Sequence, residues 1–221
     1  MKWLNYFRRP PPIRDIAALA DFIDRNAAFV VQKGIYEYSR ARAGHYSKVL
    51  FKEAEFQAAA EHSRWRAYPL GLALVAELVE GILRPAAQEN RPAQTDALIA
   101  MVLSIFDRYP PPAALGETAW GELRHELDQR LKLISLHPPK RPFEIPDQFA
   151  ETYFAMMPIH EKLRGSDFST LRNYLRVTMV NVHDELIKRI ESVADVARAL
   201  RASDGITLHR GSADAPSLQA N

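Results

Sequence analysis

The chain has 221 residues, 47% of them hydrophobic, and its 29 basic and 27 acidic residues give a formal net charge of +2. This length and apolar content predict one domain with a sizeable core, and so small a net charge gives no support to nucleic-acid binding, which needs clustered Lys and Arg. Because cysteine is absent, disulfides, thiolate metal sites and cysteine nucleophiles are excluded.

Fifteen prolines divide the chain into segments that carry a helical apolar period. Proline lacks an amide donor and clashes with the preceding turn, so clusters of it mark helix ends. The pattern predicts an all-α fold, a single globular bundle of about seven helices with long first and last helices. We expect an N-terminal aromatic and basic segment at 1–12, a helical domain at 13–201 and a disordered tail at 202–221.

The first predicted helix runs from Arg14 to about Arg42 and has its apolar residues at helix spacing. Gly44 is expected to end it, since glycine favours the position after a helix. A second helix, from His45 to about Arg66, has a weaker apolar stripe because polar residues interrupt it.

Pro69 is predicted to lie in the first turn of a third helix that ends at Arg84, because the missing amide donor costs nothing there. A fourth helix from about Gln94 to Tyr109 is apolar on most sides. A fifth follows Gly116 and has one buried stripe.

Asp147 is expected to cap a sixth helix, which Pro158 kinks. The seventh helix runs from Phe168 to about Arg201. Apolar residues surround it almost completely between residues 174 and 182, so we expect this helix to form the centre of the bundle.

No segment is long and apolar enough for a transmembrane helix, because the run from Ala97 to Phe106 is shorter than the ~20 residues that a bilayer requires. The prolines after Arg9 leave no room for the apolar core of a signal peptide. The predicted location is the cytoplasm, with a membrane-peripheral location as the alternative.

Aromatic and basic residues interleave in two stretches. Arginine binds phosphate or carboxylate with forked hydrogen bonds, and aromatic rings add stacking. The predicted binding residues are Arg40, Arg42, His45 and Tyr46 in the first stretch, and Arg64, Trp65, Arg66 and Tyr68 in the second. At 1.5 Å per residue we expect them at opposite ends of the second helix, roughly 30 Å apart, as two patches rather than one pocket. Ordinary surface arginines with partly buried tyrosines are the alternative.

Two further pairs carry residue types that occur in catalytic or metal sites. His183 and Asp184 are candidates for general base chemistry, and the alternative is that Asn181 and His183 form hydrogen bonds within the core. Glu122 and His125 have the spacing of a metal-binding pair, but no second pair exists and they lie off the apolar stripe. We therefore predict no metal site and no cofactor.

The first nine residues combine aromatic and cationic side chains, with Trp3 and Phe7 one helical turn apart beside Arg8 and Arg9. This composition suits weak contact with a membrane surface. A segment packed on the body of the protein is the alternative.

The sequence contains no G-x-S-x-G elbow, no G-x-G-x-x-G loop and no Walker A loop. Our first hypothesis is a non-catalytic cytoplasmic helical protein that binds another protein, as an adaptor, an assembly factor or a peripheral membrane-surface protein. The second is an enzyme or small-molecule sensor with a site between helices. The third is a helical DNA-binding regulator, although the charge makes nucleic acid an unfavoured partner.

The size and helix count resemble repressors of the tetracycline-repressor type, and the comparable stretch runs from Gln32 to Gly34 and from Ala43 to Glu53. That resemblance would imply an N-terminal DNA-reading unit and a helical ligand-binding body. The stretch departs from the pattern because the gap between its glycines is short and His45 and Tyr46 replace small turn residues. We do not assign the chain to this family.

Overall fold

The computed structural model describes residues 11–203, and within them the chain is helical, without a β-strand. The all-α bundle predicted from the sequence is confirmed. The α-helices are α1 (Ile16–Ala43), α2 (Ser47–Leu50), α3 (Ala54–Leu83), α4 (Arg91–Phe106), α5 (Gly116–Leu133), α6 (Ala150–Ala155), α7 (Glu161–Arg164), α8 (Phe168–Arg189) and α9 (Val193–Ala202).

The first helix forms nearly as predicted. The carboxylate of Asp15 accepts a hydrogen bond from the amide of Ala18 at 2.8 Å, which satisfies one of the unpaired donors at the start of α1. Gly44 follows the helix with φ +53°, a conformation that favours glycine. The chain then passes through α2 and returns along α1 as α3, so α1 and α3 form a helical hairpin.

The second and third predicted helices are one helix, and the expected break at Pro69 is wrong. Pro69 lies inside α3, where an interior proline costs about 3 kcal/mol relative to alanine. Every residue from Ala67 to Glu80 is buried, and α3 contacts α1, α4, α5, α8 and α9. Burial of this stretch offsets the cost of the proline and makes α3 the centre of the bundle.

The last predicted helix is divided in two by a long-range contact. The amide of Ile13 donates to the carbonyl of Arg189 at 2.7 Å, and the amide of Glu191 donates to the carbonyl of Ile13 at 3.4 Å. This parallel bridge holds Ile190 in an extended conformation with ψ 119°. The helix therefore ends at Arg189, and α9 begins after the bridge.

The stretch from residue 174 to residue 182 is not the centre of the bundle. Val177 is 63% exposed and Asn181 is also exposed, whereas Leu175 and Met179 are buried. One face of α8 packs against α1 and α6, and the opposite face meets solvent.

Two buried carboxylates on α3 hold the proline-rich linker between α5 and α6. The guanidinium of Arg84 donates to Glu80 at 2.6 and 2.9 Å and to the carbonyl of His137 at 2.7 Å. The ammonium of Lys140, in the linker, lies 2.8 Å from the carboxylate of Glu77. Each buried charge thus has a partner of opposite sign, which limits its desolvation cost.

Among residues 11–203, no helix is both long and apolar enough to cross a membrane. The predicted N-terminal contact through Trp3, Phe7, Arg8 and Arg9 lies outside the described residues. The predicted tail also lies outside them, apart from Ala202, which ends α9, and Ser203.

Candidate functional site

An open groove of about 760 Å³ lies between α1, α2 and α3. We call it the α1–α3 groove. The two long helices form its walls, and α2 lies at the hairpin end. Its lining residues are Phe29, Lys33, Tyr36, Glu37, Arg40, Ser47, Lys48, Phe51, Phe56, Gln57, Ala60, Glu61 and Arg64.

The wall from α1 follows from the helical period. Phe29, Lys33, Tyr36 and Arg40 succeed one another at steps of three or four residues and share one side of the helix. The opposite side packs on the core. An amphipathic helix ordinarily has polar residues on its outward side, so the exposed ring of Phe29 on this side of α1 indicates a surface that could contact a partner.

Aromatic side chains form the floor of the groove. The rings of Tyr36 and Phe51 stack with centroids 5.7 Å apart, and Phe51 meets Phe56 edge to face at 5.0 Å. Phe29 is 38% exposed, and the ammonium of Lys33 lies 5.1 Å from its ring centroid. The groove therefore offers apolar surface to a partner.

The charged residues of the groove are mostly cationic. They are Lys33, Arg40, Lys48 and Arg64, against Glu37 and Glu61. Arg40 lies 3.6 Å from Glu37 and Arg64 lies 3.9 Å from Glu61, and such long pairs at the surface stabilise little. Neither lysine forms an ion pair within residues 11–203. The lining therefore carries an excess of positive charge.

Arg64 has hydrogen-bonding capacity that the described part of the chain does not use. Its guanidinium carbon lies 5.2 Å from the ring centroid of Trp65, which orients the side chain. Its Nε is buried and has no acceptor among residues 11–203. The Arg64 side chain is 21% exposed and lines the groove, so this arginine is a candidate anion-binding residue.

The two predicted arginines of the first stretch lie in different surroundings. Arg40 lines the α1–α3 groove. Arg42 lies 3.2 Å from the carboxylate of Asp167 and also donates to the carbonyl of Leu163. Arg42 therefore holds α1 to the region of α7.

The other two predicted residues of that stretch do not line the groove. The hydroxyl of Tyr46 donates to the carboxylate of Glu53 at 2.6 Å, which links the residue before α2 to the residue before α3. His45 is exposed in the turn before α2. A binding role for these residues stays a prediction.

In the second stretch, Arg64 lines the groove, and its neighbours lie elsewhere. Trp65 packs edge to face against Trp120 with centroids 5.8 Å apart. Tyr68 is buried, and Arg66 is exposed beside a small pocket of about 20 Å³ next to α5. Trp65 and Tyr68 thus belong mainly to the interior.

The expectation of two separate patches is wrong for Arg40 and Arg64, which line the same groove. A separation of 30 Å requires a helix that starts at His45. The structure starts α3 at Ala54, which places Arg64 only about 15 Å along it, and α3 returns along α1. The hairpin brings these two arginines to one surface.

A second open pocket, of about 500 Å³, continues along α1 and shares Phe29 with the groove. We call it the Tyr109 pocket. Its lining residues are Asp21, Asp24, Arg25, Ala28, Phe29, Gln32 and Tyr109. The carboxylate of Asp24 accepts hydrogen bonds from the hydroxyls of Tyr68 at 2.7 Å and Tyr109 at 3.0 Å, and Arg108 lies 3.3 Å from it.

The tyrosines around Asp24 are hydrogen-bond donors at neutral pH. Burial, followed by the negative charge of Asp24, raises the pKa of Tyr109 to about 12. The same two causes, in the same order, raise the pKa of Tyr68 well above its usual value. Both hydroxyls therefore stay protonated and tie α1 to α3 and to the end of α4.

We predict that Asp24→Asn lowers the pKa of Tyr109, because the substitution removes the negative charge that opposes tyrosinate formation. Folding raises the pKa of Tyr109, so the folded state favours the protonated hydroxyl. The stability that this preference contributes is complete below about pH 10 and is lost as the pH rises through about 12. Tyrosinate absorbance during alkaline titration measures the shift. Asp96→Asn, an exposed change on α4, is the control, and equal titration curves for the two variants would contradict the prediction.

The candidates for catalysis and metal binding lie at the surface. The Nδ1 of His183 is 3.1 Å from the carboxylate of Asp184, and the histidine side chain is 33% exposed. Asn181 is exposed, so the expectation that Asn181 and His183 form hydrogen bonds within the core is wrong. Glu122 and His125 are exposed on α5, and residues 11–203 contain no group of three or more possible metal ligands.

Sequence reasoning missed several residues of these sites. Phe29 and Lys33 could have been found from the sequence. Their spacing of four residues places Phe29 beside a lysine on the polar side of the predicted first helix, where an aromatic residue is exposed. Asp24 and Tyr109 are 85 residues apart, and no local pattern links them.

No protein-family model matches the chain, and no curated protein or solved structure is found to be similar to it.

Proposed function

We propose that this is a non-catalytic binding protein that takes a segment of a partner protein in the α1–α3 groove, as an adaptor or assembly factor. One observation carries the proposal: an open groove of about 760 Å³ combines an aromatic floor with an excess of cationic side chains. Apolar contact supplies affinity in such surfaces, and charge supplies specificity and the rate of association.

The polar clusters support binding rather than catalysis. His183 and Asp184 contact each other at the surface and do not line the groove or the Tyr109 pocket. The hydroxyls of Tyr68 and Tyr109 donate to Asp24, which is a structural use of these groups. An enzyme would need a base and a reacting group that converge on one space.

The charge distribution of the groove favours a protein partner over nucleic acid. Two carboxylates, Glu37 and Glu61, lie among its four cations. Carboxylates beside a phosphate backbone would oppose binding, because affinity for nucleic acid depends on accumulated positive charge.

We further propose that the protein acts in the cytoplasm, at a membrane surface if Trp3 and Phe7 contact lipid. The chain has no cysteine and therefore no disulfide that a reducing compartment could break, so its composition is compatible with the cytoplasm.

The test is a photo-crosslinking amino acid placed at position 29, in the groove, in the full chain expressed in its native cells. We expect Phe29→benzoylphenylalanine to capture a discrete protein. The matched control is the same replacement of Val177, which is exposed on α8 away from the groove. Equal capture at both positions, or no capture at position 29, would refute the proposal.

A further inference from the structure

The groove and the Tyr109 pocket are neighbouring depressions along α1, and their combined length restricts the kind of partner. They share Phe29, and together they extend from Asp21 to Arg40. At 1.5 Å per residue this is about 28 Å. Pockets for single small molecules have volumes of about 300–1,000 Å³, and the groove and pocket contribute about 760 and 500 Å³. The two depressions together therefore suit a segment of a polymer.

The walls determine which conformation that segment can have. The residues of α1 and α3 that line the groove use their backbone groups for hydrogen bonds within their own helices. They offer no strand edge to an extended peptide, so a partner contacts side chains only. A helix that places its apolar residues into a hydrophobic groove makes this type of contact.

The charges differ between the groove and the Tyr109 pocket. In the groove, Lys33 and Lys48 form no ion pair within residues 11–203. The lining of the Tyr109 pocket has two carboxylates, Asp21 and Asp24, against the cation Arg25, and the side chain of Asp21 is 75% exposed. A complementary partner therefore has acidic residues beside the groove.

We propose that the occupant is an amphipathic helix from a partner protein, an inference that rests on the proposed function. The apolar face of this helix packs on Phe29, Tyr36 and Phe51, and acidic residues flank that face. The carboxylates of the helix pair with Lys33, Lys48 and Arg64. Side chains spaced by three or four residues lie on one face of a helix, so a single helix can present several apolar groups to the aromatic floor.

The probes are two synthetic peptides of about 18 residues, which span about 28 Å as helices. Both have the same leucine and phenylalanine pattern, and they differ only in having glutamate or lysine at the flanking positions. Binding to the full-length protein is measured by fluorescence anisotropy. We expect the acidic peptide to bind about tenfold or more tightly than the basic one at low salt, and rising ionic strength to reduce the difference.

Matched double variants locate the contact. Lys33→Glu/Lys48→Glu should weaken binding of the acidic peptide about tenfold or more. Lys162→Glu/Lys188→Glu makes the same charge change at exposed positions outside the groove and should leave binding unchanged. Circular dichroism of both proteins checks that the fold is intact.

Equal affinity for the two peptides, or tighter binding of the basic one, would overturn the inference. Self-association of the wild type that Lys33→Glu/Lys48→Glu abolishes would overturn it in favour of a second copy of this chain. Groove-dependent binding to phosphatidylserine vesicles that exceeds binding to the acidic peptide would overturn it in favour of a lipid surface.

These failures are distinguishable from failure of the proposed function. If neither peptide binds but position 29 captures a protein in cells, the acidic helix is wrong and the binding function stands. If position 29 captures no protein, the binding function itself fails.

Discussion

Glu80→Ala should lower the free energy of unfolding by about 3–5 kcal/mol. The side chain of Glu80 is 4% exposed and that of Arg84 is 12% exposed. Glu80 accepts hydrogen bonds from the guanidinium of Arg84 at 2.6 and 2.9 Å. Truncation of the carboxylate leaves a largely buried cation without a counter-charge, which costs much more than a lost surface contact.

Denaturant unfolding of the full chain measures this loss. The matched control is Arg198→Ala, because Arg198 and Asp195 form a pair in which both side chains are more than half exposed. That change should cost far less than Glu80→Ala, because water screens a pair between exposed side chains. Equal costs for Glu80→Ala and Arg198→Ala would show that the buried ion pair is not formed in solution.

Glu80→Ala should also affect the linker between α5 and α6. Arg84 donates to the carbonyls of Ile134 and His137 in that linker, at 3.2 and 2.7 Å. Glu80 holds the guanidinium in the position from which it donates to these carbonyls, so loss of the carboxylate weakens the attachment of the linker. Relative to the wild type, we expect Glu80→Ala to increase the rate of amide exchange more in the linker than in α1. Hydrogen exchange with mass spectrometry measures both increases.

Gly71→Ala should lower the free energy of unfolding by about 1–3 kcal/mol, although alanine is the better helix former. A Cβ at position 71 would lie 2.5 Å from the carbonyl oxygen of Ala27 and 3.0 Å from a methyl carbon of Val31. The first of these is a backbone atom inside α1, so relief requires α1 and α3 to move apart. The helix propensity of alanine returns only about 1 kcal/mol.

Gly121→Ala is the matched control, because it makes the same substitution within a helix, where an added Cβ would have no atom within 4 Å apart from its chain neighbours and the backbone of its own helix. It should stabilise the protein by about 0.5–1 kcal/mol. The two variants therefore have effects of opposite sign in the same unfolding experiment. Stabilisation by Gly71→Ala would mean that α1 and α3 are not in close contact, and the position of the groove walls would be wrong as well.

Several elements were predictable because a few neighbouring residues determine them. The first helix and its end at Gly44 agree with the structure to within two residues. On α5, the predicted stripe is buried at Trp120, Leu127 and Leu131. In each case, the helical period or a capping residue acts within one or two turns, so the signal is local.

The failures of prediction involve contacts between distant parts of the chain. Pro69 signals a helix end locally, but burial of α3 among five other helices stabilises an unbroken helix. The bridge between Ile13 and Ile190 interrupts a continuous apolar stripe. Neither the burial of α3 nor the bridge alters the spacing of apolar residues in the sequence, so that spacing gives no sign of them.

The candidate site shows the same division. Residue types alone indicated that Arg40 and Arg64 are suited to bind an anionic group, and that binding role remains a prediction. Their position on one groove depends on where α3 begins and on how closely it packs along α1, which Gly71 permits.

The all-α class, the first helix and the residue types available for binding can be predicted from the sequence, because spacing within a turn and capping act over a few residues. The central position of α3, the division of the last helix and the groove that two arginines share with Phe29 and Lys33 are visible only in the folded chain. These features depend on packing between residues far apart in the chain, and packing energy is a property of the assembled helices.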